Sequence, residues 1–194
     1  MERVRNQEHV PGNWSSLVYI QVPLTAHLQQ QTPLPSGFQP MDLLPHVEAA
    51  SQPSQPSCLH LSLSRNVYLK DHQRGLFRDK LDAALRRARL SVPSHAKISS
   101  IAVFRNDEQN RRFLSWLVAD EEAWLPALTK VIDGVLRDFA LPAFYHPPAF
   151  HISFAWSTAA ADPLPVPPAT LPHPATIELG RLVLKCGNMQ FILQ

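Results

Sequence analysis

The chain has 194 residues, 45% of them hydrophobic, with a formal net charge of +2, 19 prolines, 6 glycines and two cysteines. That length suits one domain or two small lobes on a shared core, and so small a charge excludes a protein that coats long nucleic acid while leaving room for a local basic patch. Two cysteines exclude a disulfide framework and fit reduced thiols; no apolar run reaches the roughly 18–20 residues of a membrane span; and polar Met1–Arg5 has no apolar signal core behind it, so a soluble intracellular protein is expected.

Residues 1–12 are polar and read as a flexible N-terminus. Trp14–Val22 is rich in β-branched and aromatic residues and predicts a strand. Residues 23–57 hold seven of the prolines and read as a surface insertion, with a short helix expected over Asp42–Ala50. Cys58–Ser64 predicts a second strand. Lys70–Leu90 carries Leu76, Phe77, Leu81, Ala84, Leu85 and Ala88 at helical spacing, with Arg86, Arg87 and Arg89 near its end and Pro93 as a stop.

Lys97–Phe104 and Arg111–Val118 flank the polar run Asn106–Asn110 and predict a β-hairpin. A second helix is expected over 121–139, capped by Asp120 and starting late or bending at Pro126. Phe150–Trp156 predicts another strand, 157–174 an Ala/Pro-rich loop. Ala175–Lys185 and Met189–Leu193 predict a closing hairpin that turns at Gly187-Asn188.

Two of these strands carry the same pattern. His60-Leu61-Ser62-Leu63 and His151-Ile152-Ser153-Phe154 both read His, apolar, Ser, apolar. Successive strand residues point to opposite faces. His60, Ser62 and Ser64 are therefore expected on one face of the first strand, and His151, Ser153 and Ala155 on one face of the second. A single histidine in an apolar strand is ordinarily structural. Two copies of one pattern, one in each half, argue for two similar lobes of antiparallel sheet and helices, an α+β fold with a cleft between the lobes.

Two imidazoles across a phosphodiester divide acid–base labour. One accepts the proton of an attacking 2′-hydroxyl and the other protonates the leaving oxygen. The serines donate to the non-bridging oxygens, where charge develops. The chain has no His-Glu-x-x-His, no paired Cys-x-x-Cys and no Gly-x-Ser-x-Gly elbow, so neither a zinc site nor a serine triad is expected.

Paired His-x-Ser motifs resemble those of the 2H, or two-histidine, phosphoesterases. Within that superfamily the chain is similar to the U6 small nuclear RNA phosphodiesterases, the Usb or Mpn family. The segments that carry the likeness are Gly12-Asn13-Trp14, His60–Ser64, the Asn106–Arg112 turn into Phe113, Phe144-Tyr145, Phe150–Trp156 and Lys185–Asn188. The resemblance implies a 2H fold over 13–194, and the chain departs from the family in the proline-rich insertions near 23–57 and 157–174. It implies a nuclear, metal-independent 3′-to-5′ exoribonuclease, a monomer that trims uridines or adenosines from the U6 RNA 3′ end and leaves a 2′,3′-cyclic phosphate or a 3′-phosphate. His60 and His151 would be catalytic, with His151 as base and His60 as acid, and Ser62 and Ser153 would bind phosphate. Tyr145, six residues before His151 and joined to it through Pro147-Pro148, would stack on the terminal base. The alternatives are a cyclic phosphodiesterase of the tRNA-splicing type and an RNA 3′-end-binding protein without turnover.

Overall fold

The β-branched and aromatic run near the N-terminus forms β1, Asn13–Pro23, and the remaining strands assemble on both sides of it. The computed structural model describes residues 12–25, 34–45, 56–119, 123–158 and 170–193. In chain order the other elements are β2 Gln39–Pro40, β3 Leu44–Pro45, β4 Pro56–Ser62, β5 Val67–Lys70, α1 Arg74–Ala88, β6 His95–Arg105 and β7 Arg111–Ala119. They continue with α2 Trp124–Asp138, β8 His151–Thr158, β9 Thr170–Glu178, β10 Leu182–Cys186 and β11 Met189–Ile192.

Among the described residues the strands make one antiparallel sheet in the order β11-β10-β1-β4-β8-β7-β6-β9. Four strands lie on each side of the β4–β8 junction, and the two motif strands are β4 and β8 themselves. The short strands β2, β3 and β5 pair with β8, β4 and β1 respectively. Fold class is therefore α+β, with two helices against a large sheet.

One face of the sheet is apolar and covered. Leu59 and Leu61 of β4 and Ile152 of β8 share one core cluster with Phe77, Leu81 and Leu85 of α1 and with Leu125, Leu128, Ile132 and Leu136 of α2. The helices meet where Phe77 packs edge-on against Phe139, ring centres 5.1 Å apart. Each fully buried aliphatic side chain contributes about 1.5–3 kcal/mol relative to exposure. This face holds the sheet together, and the opposite face is left to the polar halves of the motif strands. No helix among the described residues is long and apolar enough to cross a membrane.

Several expectations are corrected. Leu44-Pro45 is extended, with Leu44 opposite Cys58, where the start of a helix was expected; the ring of Pro45 disfavours a helical Leu44, and residues 46–50 lie outside the described residues. Lys70 ends the unexpected strand β5, a 3-10 turn over Asp71–Gln73 follows and α1 proper starts at Arg74, and Leu76 is 56% exposed rather than core. Asp120 lies outside the described residues. The residue that precedes α2 is Ala123, at φ 54° and without a side-chain cap. Pro126 falls in the first turn of that helix, where a missing N–H costs nothing.

Thr170–Pro174, expected as loop, begins β9. The run Ala175–Lys185 is also two strands and not one. Its first part, in β9, pairs with β6; its second, β10, pairs with β1 on the far side of the sheet. The crossing runs along β1, where Gly180 N–H donates to the Gln21 carbonyl at 2.7 Å. A Cβ on Gly180 would stand 3.1 Å from that of Gln21. Glycine here permits the close approach. The closing hairpin β10–β11 does turn at Gly187-Asn188, as expected.

Candidate active site

The site begins with one register. Leu61 of β4 stands opposite Ile152 of β8 in an antiparallel pair, both fully buried on the core face. Their neighbours therefore point to the other face. Continuing the same register sets His60 across from Ser153, and Ser62 across from His151. Each histidine thus faces the serine of the other motif. The two histidines occupy diagonal positions, whose backbones are typically about 7–8 Å apart in such neighbours.

On β1 the partners of His60 and Ser62 are Gln21 and Tyr19. Directly opposed residues share a face, so both extend the floor of the site. The Tyr19 ring packs edge-on against His60 at 5.8 Å. Its hydroxyl is held protonated, because burial, helped by nearby Cys58, raises its pKa well above 10. Lys185 of β10 lies opposite Leu17, which puts it on the same face as Tyr19 and Gln21. The His60 pKa falls from 6.5 to about 4, chiefly by burial and then through the charges of His151 and Lys185. The ring is neutral at pH 7.

His151 is held more closely. Its Nδ1 lies 2.7 Å from the Ala149 carbonyl. A carbonyl only accepts, so Nδ1 carries the proton and Nε2 of the neutral ring keeps its lone pair. Phe104 of β6 stacks on the imidazole at 3.9 Å and 14°. It reaches across the row Ala102–Ser115–Ser153, whose small side chains leave the space. Burial lowers the His151 pKa, and the bond to Ala149 opposes that shift.

Ser153 keeps some exposure, and its Oγ is 2.9 Å from Oγ of Ser115 on β7. Ser62 is also part-exposed. Two other expected face-mates are elsewhere. Ser64 lies beyond the end of β4, 2% exposed, where its Oγ accepts from Val18 N–H and donates to the Arg65 carbonyl, each at 2.9 Å. It ties β1 to the chain after β4 and is not available to the cleft. Ala155 is fully buried on the core side. Ser115 pairs with Ser153 but Leu114 pairs with Ala155, so Phe154 is an extra residue in β8. Such a bulge reverses the alternation beyond it.

Tyr145 is 40% exposed. The Arg65 guanidinium lies over its ring at 4.1 Å, and its hydroxyl donates to Asp107 Oδ2 at 3.4 Å. Burial and the Asp107 charge raise its pKa, against the opposing effect of Arg65. The loop before β8, the turn after β4 and the β6–β7 hairpin meet at this ring. Phe144, its neighbour, belongs to the core and stacks on Phe150.

Tyr19, Phe104, Ser115, Arg65 and Lys185 were not singled out as site residues by sequence. Only Lys185 belongs to a segment that carried the family likeness. Among the described residues no three His, Cys, Asp or Glu side chains come together. The functional groups gathered here are two imidazoles, hydroxyls, the Gln21 amide and a lysine.

Sheet and site together define an α+β protein that brings two His-x-Ser motifs side by side on one open face. The family described as HVSL, uncharacterised conserved protein, matches residues 1–167. The chain is 33% identical over 207 residues to U6 snRNA phosphodiesterase 1 of Drosophila melanogaster, covering 97% of this chain and 72% of the relative. It is 30% identical over 167 residues to the Homo sapiens protein of that name, covering 82% and 56%. The chain belongs to this family, and spans only about half to three quarters of the length of these two relatives. The fold is similar to that of Kluyveromyces marxianus Usb1 solved with uridine monophosphate, with a TM-score of 0.57 at 14% identity, covering 92% of this chain and 97% of that one.

Proposed function

We propose that the protein is a metal-independent RNA phosphodiesterase that trims an RNA 3′ end through attack by a ribose 2′-hydroxyl. The observation that carries this reading is the Leu61–Ile152 pairing, which turns both His-x-Ser motifs to one face. The names of the relatives support U6 small nuclear RNA as the substrate and the nucleus as the place of action. The four-strand halves on either side of β4–β8 support two lobes of a 2H phosphoesterase fold.

In this scheme the scissile phosphate lies between the histidines. His151 Nε2 takes the proton of the penultimate 2′-hydroxyl, whose oxygen attacks phosphorus. The bond to the 5′-oxygen of the terminal nucleotide breaks, and His60 supplies the proton that this oxygen needs. Ser62 and Ser153 hydrogen-bond to the non-bridging oxygens. The released nucleotide carries a 5′-hydroxyl, and the RNA ends in a 2′,3′-cyclic phosphate. Water activated by His60, with His151 now as acid, opens the cycle to a 3′-phosphate. The neutral, tethered His151 suits a base. His60 is neutral in the free protein, and the negative phosphate favours its protonation when substrate binds. Tyr145 stacks on the terminal base, and the protein acts as a monomer.

The test is trimming of a 3′-oligo(U) RNA in EDTA, with identification of the product's terminal group. Activity should survive the chelator and stop when the penultimate nucleotide is 2′-deoxy. Normal cleavage of the deoxy substrate would show that another nucleophile attacks. Binding without any product would leave an RNA-end-binding protein. Turnover confined to nucleoside cyclic phosphates would point to the tRNA-splicing type of enzyme.

A further inference from the structure

Neither motif contains Ser115, yet the geometry assigns it a part in the site: we infer that Ser115 fixes the direction in which the Ser153 hydroxyl presents its proton. The inference rests on the reading above, in which Ser153 binds the scissile phosphate. Ser115 stands directly opposite Ser153 in the β7–β8 register. Its side chain is 0% exposed, and Oγ–Oγ is 2.9 Å. Among the described residues that is the one hydrogen bond of the Ser115 hydroxyl.

A hydroxyl has one proton to give and can accept as well. If Ser153 donated to Ser115, the Ser115 proton would remain in a dry interior without an acceptor. Buried polar groups are seldom left so. In the opposite arrangement Ser115 donates and Ser153 accepts. The buried Ser115 hydroxyl is then satisfied, and the Ser153 proton is turned outward to the face that holds both imidazoles. Accepting that bond also polarises the Ser153 O–H and makes it a better donor.

Among the described residues the first motif has no such device. Across β1 the partner of Ser62 is Tyr19, whose side chain packs on His60. Ser62 is a rotor that orients when an anion arrives, whereas Ser153 is oriented beforehand. The bulge at Phe154 is what brings this about. Without the extra residue the Leu114–Ala155 register would carry on along β8, and Ser115 would face Phe154 instead of Ser153.

A double-mutant cycle tests the assignment. Ser115→Ala, Ser153→Ala and the double variant are compared for kcat and KM on an oligouridylate and for Kd of uridine 3′-monophosphate, with melting temperature as a control on folding. Loss of an oxyanion donor typically costs about 10²–10³ in kcat, so a positioning residue behind one should cost about tenfold. That loss should fall on kcat, be absent when Ser153 is already alanine, and be restored by Ser115→Thr, which keeps the hydroxyl. An equal loss in both backgrounds would make Ser115 a packing residue, and an undiminished kcat in folded Ser115→Ala would also overturn the idea. Should Ser115→Ala fail to fold, Ser115→Cys, a weaker donor of similar shape, must show the loss instead. If the wild-type chain does not cleave RNA, the proposed function fails, and nucleotide binding decides on Ser115: its substitution must weaken the complex only when Ser153 is present. Absence of that dependence, or of any binding, overturns the assignment.

Discussion

His60 and His151 have the same local sequence but unequal surroundings. His151 has one nitrogen bound to a carbonyl and one face covered by Phe104. His60 has a ring edge against it and two basic groups nearby. Replacing either by alanine should cost about 10² to 10⁴ in rate, the usual contribution of a general acid or base, with little change in melting temperature; near-normal activity in either would exclude the mechanism. Both pKa values lie below 6.5. Because kcat/KM reports the free enzyme, its bell should peak on the acid side of pH 6.5, and the two limbs belong to the pair. A profile that rises through neutrality without falling would mean that one group alone titrates. For Tyr145 the long bond to Asp107 contributes little, so Tyr145→Phe should be mild. Tyr145→Ala should lower kcat/KM on short oligouridylates, since stacking on one base is worth about 1–3 kcal/mol. A large drop in melting temperature with intact kinetics would make the ring structural instead.

At the level of elements, what was legible in the sequence was what short-range periodicity reports. Both motif strands, the β6–β7 hairpin and the two helices follow from alternation or helical spacing within their own residues. Pairing is not local. Nothing within 58–64 or 150–156 says that β4 lies beside β8, and Ser115 becomes part of the site only through a partner 38 residues away. The bulge at Phe154 was hidden for the same reason, since an extra residue exists only relative to the strand opposite. The Ala175–Lys185 run kept its alternation across a change of neighbours, which joined two strands into one. The turn at Gly187 shows how narrow such local requirements are. Its φ is +58°, and a Cβ there would stand 2.5 Å from the Trp14 ring, which Arg74 covers at 4.1 Å. Gly187→Ala should destabilise the protein by about 1–2 kcal/mol from backbone strain alone, and more from the clash. Thermal unfolding checks this, at about 2–4 °C per kcal/mol for a chain of this size; a drop that matches the backbone strain alone would show that Trp14 moves aside, and an unchanged melting temperature would overturn the strain argument itself.

For the whole molecule, the depressed histidines bear on stability. Between about pH 4 and 6.5 the unfolded chain binds a proton at His60 that the folded chain does not. Unfolding therefore takes up protons, so the stability that neutral His60 contributes is fully present above pH 6.5 and is lost as pH falls through about 4. Urea midpoints above and below that window should differ more in the wild type than in His60→Ala, whereas equal differences would mean that other groups govern acid unfolding.

The sheet order places four strands on either side of the β4–β8 junction. A cradle with true two-fold symmetry would offer a nucleic acid strand two indistinguishable ways to lie, head to tail or tail to head. RNA has a direction, and under the proposed function only one of those ways sets a 2′-hydroxyl beside the base. The furnishings of this frame are one-sided. The carbonyl tether, the Phe104 stack and the buried serine all serve the second motif, while the tyrosine edge and the lysine serve the first. If RNA is the substrate, as proposed, such a protein needs no separate gauge of strand polarity, because the difference between its own halves tells the two ends apart.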